Sequence, residues 1–373
     1  MLRFFAFALL LGCWTYSVLA VVAAERYRRR KPSQEKASPA TGISILKPLA
    51  GLDMGLEANL RSYFEQDYPL FELLFAVRDS GDAPAQIVRD LQAQYPHVAS
   101  QLIVTGEPPY PHDKVFKLQC LLEIARYELI AMADSDVRAG SDFCRQLAAE
   151  FSNQNLALTT CPYRAIGGPS LWSRLEALSM NTDFFAGVFT AVMLEGAKFA
   201  IGPTIVARRS LLQSLGGIER FRDYISEDFV LGHTASEQGF GVDLSSYTVE
   251  HRIGSEVLLK NFAHRARWAR TTRRSRPAGY IGQFFTYPVS ALSCILFLLP
   301  FWKPLLAITV VLRVLNAYVI SDRVLRARVP WHLLPLQDLL SFAFWLAGFF
   351  GNSVEWRGRR YLIKRDGTLE AQN

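Results

Sequence analysis

The stretch KVFKLQCLLEIARYELIAMADSD, residues 114 to 136, joins a helical pattern to a short apolar run that ends in two carboxylates. Apolar residues recur at helical spacing from Lys114 to Tyr127, which predicts an amphipathic helix. The run ELIAMAD (128 to 134) is short and apolar, which is typical of a buried strand. The stretch therefore predicts one helix–strand unit of an α/β sheet, with Asp134 and Asp136 at the end of the strand.

The same alternation extends along the middle of the chain. The predicted strands are ISILKPL (43 to 49), FELLFAV (71 to 77), SQLIVTG (100 to 106) and LALTTCPY (156 to 163). Strands alternating with helices indicate a largely parallel sheet covered on both faces, and such sheets bind ligands beyond the carboxyl ends of their strands. No G-x-G-x-x-G follows a strand and no G-x-x-x-x-G-K-[ST] occurs, which argues against a dinucleotide fold and a P-loop.

The composition and the N-terminus indicate a membrane protein. Half of the 373 residues are hydrophobic, although 20% are charged. The run from Leu2 to Ala24 has no charge after Arg3, and ERYRRRK follows it. That length can cross a hydrocarbon core of about 30 Å, and basic residues favour the cytoplasmic side. We expect a transmembrane anchor over 1–25, a basic linker over 26–42 and a cytoplasmic catalytic domain over 43–260.

A second apolar region predicts a C-terminal membrane part over 281–355, after an interfacial segment over 261–280. It contains three hydrophobic segments, and a basic tail follows over 356–373. Because the positive-inside bias would keep that tail in the cytoplasm, we expect two spans and one re-entrant segment, the one with Pro335 and Asp338. Three spans are the alternative. The net charge of +7 is concentrated at these membrane edges, which favours anionic lipid headgroups over nucleic acid as the partner.

Acidic side chains after two strands are the first candidate site. Asp134 and Asp136 present two carboxylates of the kind that Mg²⁺ or Mn²⁺ binds, although a solvated turn has the same composition. Asp82, close to Asp79, follows the second strand. Its alternatives are an ordinary turn, which the loop favours by itself, and a carboxylate that accepts hydrogen bonds from a base or ribose.

Two further segments complete the candidates. YISEDFVLGHTASEQG predicts a helix that starts near Ser226, with Glu227 and Asp228 as either capping residues or a general base. HRARWARTTRRSRP (264 to 277) predicts an interfacial helix whose arginines reach the headgroups, and whose Arg267 and Trp268 can also line a phosphate site. Lys114 is a candidate diphosphate contact.

Taken together, these motifs resemble the inverting family 2 glycosyltransferases of the GT-A fold, and most closely the ceramide glucosyltransferase group. The resemblance rests on K-P-L followed by G-x-D, on F-x-x-D-Y-P, on an Asp after the second strand and on D-x-D. It continues with E-D, with the R-W of HRARW and with the ending WRGRRYLIKRDGT. It implies a Rossmann-like, mainly parallel GT-A sheet with N-terminal and C-terminal transmembrane helices.

The resemblance implies transfer of a sugar from a UDP-sugar to the hydroxyl of a lipid, with Mg²⁺ or Mn²⁺ as cofactor. Asp228 would deprotonate the acceptor, and Asp134 and Asp136 would hold the cation. The implied nucleotide-sugar residues are Pro48, Asp82, Lys114, Asp134, Arg267 and Trp268. The implied acceptor-side residues are Asp183, Glu227 and His264.

Two departures from the group leave the acceptor open. His264 occupies the first position of the (Q/R)-x-x-R-W motif, and NTDFFAGV (181 to 188) has no histidine where animal ceramide enzymes carry one. Ceramide and a hopanoid that receives N-acetylglucosamine are both candidate acceptors, and the compact membrane part favours a bacterial inner-membrane protein. A processive polysaccharide synthase and a non-catalytic lipid-binding scaffold are the other hypotheses. The sequence carries no indication of oligomeric state.

Overall fold

The computed structural model describes residues 2–30, 41–254, 257–287, 299, 301–356, 359–364 and 366–371. Most of the predicted linker over 26–42 and much of the first C-terminal hydrophobic segment lie outside this range. The chain divides into two compact units, which are described separately. The membrane unit comprises Met1–Arg30, Arg164–Gly196 and Ser255–Asn373, and the sheet unit comprises Lys31–Tyr163 and Ala197–Gly254.

Both units contain strands and helices. The strands are β1 (Ile43–Pro48), β2 (Phe71–Val77), β3 (Ser100–Val104), β4 (Leu129–Ala133), β5 (Val137–Arg138), β6 (Leu156–Thr160), β7 (Tyr163–Gly167), β8 (Thr204–Arg208), β9 (Gly241–Leu244), β10 (Val249–Ile253), β11 (Ser353–Trp356), β12 (Arg359–Ile363) and β13 (Leu369–Ala371). The α-helices are α1 (Leu2–Arg28), α2 (Leu56–Phe64), α3 (Ala83–Gln94), α4 (Asp113–Ile124), α5 (Phe143–Glu150), α6 (Leu171–Ser179), α7 (Phe185–Glu195), α8 (Arg209–Ser214), α9 (Glu227–Glu237), α10 (Leu258–Ser275), α11 (Pro277–Gly282), α12 (Trp302–Tyr318) and α13 (Leu334–Ala347).

Shorter helical turns complete the described elements. The 3₁₀ turns cover Ile218–Phe221, Gln283–Thr286 and Trp331–Leu333. The π-helical turns cover Met180–Phe184 and Val319–Val324.

The central sheet has seven strands in the order β3-β2-β1-β4-β8-β6-β9. The strands from β3 to β4 pair in parallel, and Ile43 of β1 lies opposite Phe71 of β2 and Leu129 of β4. Strand β8 runs antiparallel to both of its neighbours, β4 and β6. The mainly parallel sheet confirms the predicted fold class, and it brings the carboxyl ends of β1, β2 and β4 to one edge.

Helix α4 packs on this sheet through the apolar face that its sequence predicts. Leu118 and Leu121 of α4 belong to one buried cluster with Leu46, Leu74 and Ile130 of the sheet. Burying apolar side chains between helix and sheet is the main favourable contribution to folding here. Because α4 begins after β3 ends, its first turn lies at the carboxyl edge.

The five predicted strands are confirmed, with ends that differ by a few residues. The sequence analysis did not identify β8, β9, β10 or the antiparallel β11-β12-β13 sheet in the tail. Strand β8 (TIVAR) is short, and its antiparallel direction follows from long-range connections. Such connections leave no mark on local periodicity.

The membrane unit contains three helices that are long and apolar enough to cross a membrane. They cover Arg3–Arg28, Leu171–Glu195 and Trp302–Val324 of the described residues. The first and third agree with predicted hydrophobic segments. The second lies inside the range 43–260 predicted for the catalytic domain, and it packs with the membrane unit. Polar residues interrupt the apolar run of this helix, and for that reason the sequence did not indicate a membrane span here.

Helix α13 corresponds to the segment predicted to be re-entrant. It has 14 residues, a length of about 21 Å at 1.5 Å per residue, which is shorter than a hydrocarbon core of about 30 Å. The re-entrant course of this segment stays a prediction.

Candidate active site at the end of strand β4

The two predicted metal ligands lie where the sequence places them, directly after β4. The backbone N–H of Asp134 donates to the carbonyl of Pro203, 3.1 Å away, which joins this turn to the start of β8. The carbonyl of Asp136 accepts from the N–H of Arg252 at 2.8 Å. The turn is therefore held on both sides by neighbouring chain segments.

Side chains from β1, from α2 and from the loop between them hold the same turn. Lys47 Nζ donates to the carbonyl of Asp134 at 2.6 Å, and Asn59 Nδ2 donates to the carbonyl of Ser135 at 3.3 Å. The hydroxyl of Ser135 donates to the carboxylate of Asp53. Lys47 is fully buried, and burial lowers its pKa to about 7 even though the nearby carboxylates oppose that shift.

Lys114 bridges two of the predicted carboxylates. Its Nζ lies 2.8 Å from Oδ1 of Asp134 and 2.9 Å from Oε1 of Glu227. Burial alone would lower the pKa of Lys114, but the two carboxylates hold it well above its ordinary value. The lysine is therefore a permanent cation at the carboxyl edge of the sheet.

His112 supports Glu227 from the other side. The N–H of Val115 donates to His112 Nδ1 at 3.4 Å, so Nε2 carries the proton that faces Glu227 Oε2 at 3.2 Å. Burial by itself would raise the pKa of Glu227, yet Lys114 and His112 hold it well below its usual range. Glu227 is consequently ionised and fixed in place.

Asp228, the predicted base, lies beside Glu227 in the first turn of α9. Burial, and then the charge of Glu227, raise the pKa of Asp228 to about 7. Gly202 lies against its carboxylate, since a Cβ on this glycine would be 2.8 Å from Asp228 Oδ2. A carboxylate with a pKa near neutrality is suited to accept a proton from an alcohol at physiological pH.

The donor set at the turn fits a divalent cation of the Mg²⁺ or Mn²⁺ type. Among the described residues, Oδ1 of Asp136 is one of the buried side-chain oxygens that have no hydrogen-bond partner. Its other oxygen lies 3.1 Å from His251 Nε2. Burial alone would raise the pKa of Asp136, but His251 lowers it below its ordinary value. No group of three or more His, Cys, Asp or Glu side chains suited to a metal occurs within the described range. Mg²⁺ is usually bound through one or two carboxylates together with waters and substrate phosphates.

Two predicted nucleotide contacts lie at neighbouring strand ends. Pro48 is the last residue of β1. Asp82 precedes α3, and its Oδ2 accepts from the N–H groups of Arg78 and Asp79 at 3.1 and 3.2 Å. These bonds are the turn geometry that the sequence also allowed, and the nucleotide contact of Asp82 stays a prediction.

The remaining predicted residues belong to the membrane unit. Asp183 lies in the π-helical turn and pairs with Arg313. On α10, His264 Nδ1 lies 2.8 Å from Glu176 Oε1, and its ring packs against Trp268 with centroids 4.6 Å apart. The acceptor role of Asp183 and of His264 stays a prediction, as does the diphosphate role of Arg267 and Trp268.

The other α10 arginines, predicted at the lipid surface, have protein partners in the structure. Arg270 donates to the carbonyls of Phe350 and Ser353. Arg273 donates to the carbonyls of Phe349 and Gly351. These carbonyls belong to the segment that follows α13, so the two arginines fasten that segment to α10.

Four residues of the site were missed by sequence reasoning, namely Lys47, His112, Gly202 and His251. Lys47 lies in the quoted block ILKPL, next to the predicted Pro48. A lysine inside an otherwise apolar strand is a signal that was available, since buried lysines are rare without a partner. The other three become site residues only through long-range packing.

A comparison with protein families identifies the chain. The family described as glycosyl transferase family 21 matches residues 5–369. The chain belongs to glycosyltransferase family 21. This family is numbered 21, whereas the motifs in the sequence resembled family 2. The predicted resemblance to the ceramide glucosyltransferase group is confirmed by the relatives.

Two of the relatives are from Caenorhabditis elegans. Ceramide glucosyltransferase 1 is 26% identical over 270 residues, which are 71% of this chain and 58% of the relative. Ceramide glucosyltransferase 3 is 26% identical over 254 residues, which are 68% of this chain and 55% of the relative. This family 21 chain therefore matches somewhat more than half of the length of these relatives.

A solved structure shows the same fold. The mannosyltransferase PcManGT from Pyrobaculum calidifontis, in complex with GDP-Man and Mn²⁺, matches with a TM-score of 0.58 and 17% identity. The match covers 94% of this chain and 98% of that one. At this identity the likeness concerns the fold, and it confirms the predicted GT-A class.

Proposed function

We propose that this family 21 chain is a membrane-bound, inverting glycosyltransferase that moves a sugar from a UDP-sugar to a lipid hydroxyl. The observation that carries the proposal is the arrangement at the end of β4. There Lys114 joins Asp134 to Glu227, and Asp228 stands next to Glu227. Such a transfer needs a pair of carboxylates that can bind a cation, a fixed lysine, and a carboxylate whose pKa is near neutrality.

The donor would bind at the carboxyl edge of the sheet. Asp134 and Asp136 would hold Mg²⁺ or Mn²⁺, which when bound stabilises negative charge on the departing diphosphate. Lys114 places a further cation beside Asp134, where it can donate hydrogen bonds to phosphate oxygens. Arg267 and Trp268 are proposed to complete the diphosphate site.

Asp228 would act as the general base. Its ionised carboxylate takes the proton of the acceptor hydroxyl as the oxygen attacks the anomeric carbon of the sugar. The bond from that carbon to the diphosphate breaks in the same displacement, so the configuration inverts. Glu227 stays ionised between His112 and Lys114, and its negative charge keeps the basicity of Asp228 high.

Ceramide is the acceptor that the relatives favour, because two of them are named ceramide glucosyltransferases. A hopanoid that receives N-acetylglucosamine is the alternative acceptor–sugar pair. The three apolar helices support a multi-pass protein that takes its acceptor from the bilayer. A cytoplasmic catalytic domain at a bacterial inner membrane is part of the proposal, and the basic residues that follow the first apolar helix support the cytoplasmic side.

The proposal is tested with purified protein and Mn²⁺. The protein is offered UDP-glucose or UDP-N-acetylglucosamine with either ceramide or a bacteriohopanetetrol, and the lipid products are analysed by mass spectrometry. The expected result is one glycosylated lipid that depends on Mn²⁺. Absence of transfer with every donor–acceptor pair, together with absence of Mn²⁺-dependent UDP binding by calorimetry, would instead support a lipid-binding scaffold. A ladder of longer products would indicate a processive synthase.

A further inference from the structure

A group of charged side chains lies buried inside the membrane unit. Arg313 Nη2 is 2.6 Å from Asp183 Oδ1 and 2.6 Å from Asp338 Oδ1. The Nε of Arg313 donates to Asp338 Oδ2 at 3.0 Å. The three side chains are only 4%, 5% and 3% exposed, so the ion pairs are shielded from water.

The group continues through hydroxyl and amide side chains to a second arginine. Ser341 Oγ donates to Asp183 Oδ2 at 3.0 Å. Arg265 donates to Gln337 Oε1 at 3.3 Å and to Ser341 Oγ at 3.4 Å. Its guanidinium also lies over the ring of Phe344, 4.4 Å from the centroid.

These residues come from four different elements. Asp183 lies in the π-helical turn of the candidate span over 171–195, and Arg313 lies in α12. Asp338 and its neighbours lie in α13, while Arg265 lies in α10. A π turn inside a helix changes the direction of its side chains and often marks a functional site. The buried group therefore fastens α10 and α13 to two candidate spans.

The charges of these four side chains balance, since there are two carboxylates and two arginines. Glu176, a buried carboxylate near Arg265, pairs with His264. Removing one partner of a buried ion pair leaves an uncompensated charge and is strongly destabilising. Turning the remaining charged side chain toward the hydrocarbon of the bilayer is also costly. Helix α13 is too short to be fixed by spanning the bilayer. Polar contacts of this kind act together with apolar packing of α13 on α6 and α10.

Arg265 links the group to the predicted active-site motif. It lies two residues before Arg267 and three before Trp268 on the same helix. The guanidinium of Arg265 points toward α13, where it contacts Gln337. Because Arg267 and Trp268 lie on the same helix, the directions of their side chains are fixed relative to that of Arg265. A rigid support for such a motif matters because small misplacements of catalytic groups are costly.

We propose that the Arg313–Asp338 ion pair is a positioning device, which sets α13 and, through Gln337, Ser341 and Arg265, the orientation of α10 and its Arg267 and Trp268. The inference rests on the proposed function for the role of Arg267 and Trp268. Asp338 and Arg313 are positioning residues, since they act through Arg265 and not on the substrate.

The test uses the full-length protein in detergent or nanodiscs, with Asp338→Asn as the central variant. Asp322→Asn is the matched control. Asp322 lies just after α12, the helix that carries Arg313, and it accepts a hydrogen bond from its neighbour Ser321. Asp338→Glu keeps the charge and should retain wild-type behaviour.

Three measurements are compared across these variants. The first is the rate at which a water-soluble maleimide labels Ala266→Cys on α10, with the parent protein as background. The second is kcat for transfer, and the third is Mn²⁺-dependent UDP binding. We expect Asp338→Asn to be labelled roughly ten-fold faster, because the lost ion pair raises the population of loosened states. Its kcat should fall on the order of ten-fold, with UDP binding unchanged.

Faster labelling and a lower kcat in Asp338→Asn, with wild-type behaviour of the Asp322→Asn and Asp338→Glu variants, would support the proposal. If Asp338→Asn labels at the wild-type rate, the proposal is overturned, whatever happens to kcat. If the wild-type protein transfers no sugar, the proposed function fails on its own, while the labelling rates still decide whether the ion pair sets α10.

Discussion

The sheet unit and the membrane unit each contain a cluster of acidic and basic side chains, and the two clusters differ in their charge balance. At the end of β4, the carboxylates of Asp134, Asp136, Glu227 and Asp228 surround Lys114. In the membrane unit, Arg313 satisfies both Asp183 and Asp338, and a second arginine completes the group. The first cluster has a surplus of negative charge, whereas the second is balanced.

The surplus has a physical meaning. A buried carboxylate oxygen without a partner, such as Oδ1 of Asp136, is costly unless a cation or donor binds it. A balanced cluster needs no ligand, and it instead holds helices together. The comparison therefore assigns binding and chemistry to the β4 cluster and support to the membrane cluster.

The largest effect is expected at the base. Asp228→Asn keeps the shape of the side chain but removes the proton acceptor, so kcat should fall about 10²- to 10⁴-fold. UDP-sugar binding by calorimetry should persist, because the residue does not belong to the proposed donor site. Asp223→Asn, an exposed carboxylate five positions earlier, is the matched control. Full activity of Asp228→Asn would remove the base assignment.

A smaller effect is expected at the cation pair. His251 orients Asp136 through its Nε2, and loss of such an outer partner typically costs about 10- to 100-fold in metal affinity. His251→Leu should therefore weaken Mn²⁺ binding by that factor, measured by titration calorimetry in the presence of UDP. His97→Leu, at an exposed position, should leave the affinity unchanged. Equal affinities in the two variants would contradict the cation site.

The close approach of Gly202 to Asp228 gives a still smaller effect. A Cβ at this position would lie 2.8 Å from the carboxylate, so Gly202→Ala must shift the base. We expect kcat to fall roughly ten-fold, as a small displacement of a catalytic group does. Gly81→Ala, where a Cβ meets nothing within 4 Å, serves as the control. An unchanged kcat would show that the carboxylate has room to move.

The surplus of negative charge in the β4 cluster should also affect how kcat/KM depends on pH. Asp228 must be ionised to act, and its pKa is raised to about 7 by burial and by Glu227, so kcat/KM should rise as the pH increases through about 7. Glu227→Gln removes one cause of the raised pKa, and the midpoint of the profile should move to lower pH. A midpoint that moves upward in this variant would contradict the electrostatic account.

The sequence predicted most of the sheet and the residues at its edge. Strand–helix alternation is a local property, and it placed β1, β2, β3, β4 and β6 and the acidic turns correctly. It did not reveal the antiparallel β8, whose pairing joins distant segments. It also did not reveal the candidate span over 171–195, because polar residues interrupt its apolar run. The same limit applies to His112 and His251, whose roles follow from the carboxylates that they meet in space.

The central claim is that Asp228 activates the acceptor in a single displacement beside the β4 cluster. The most direct measurement is the anomeric configuration of the glycolipid product, determined by proton NMR, after reaction with an α-configured UDP-sugar. The account predicts a β-linked product that the Asp228→Asn variant fails to form at the wild-type rate. An α-linked product would contradict the single displacement.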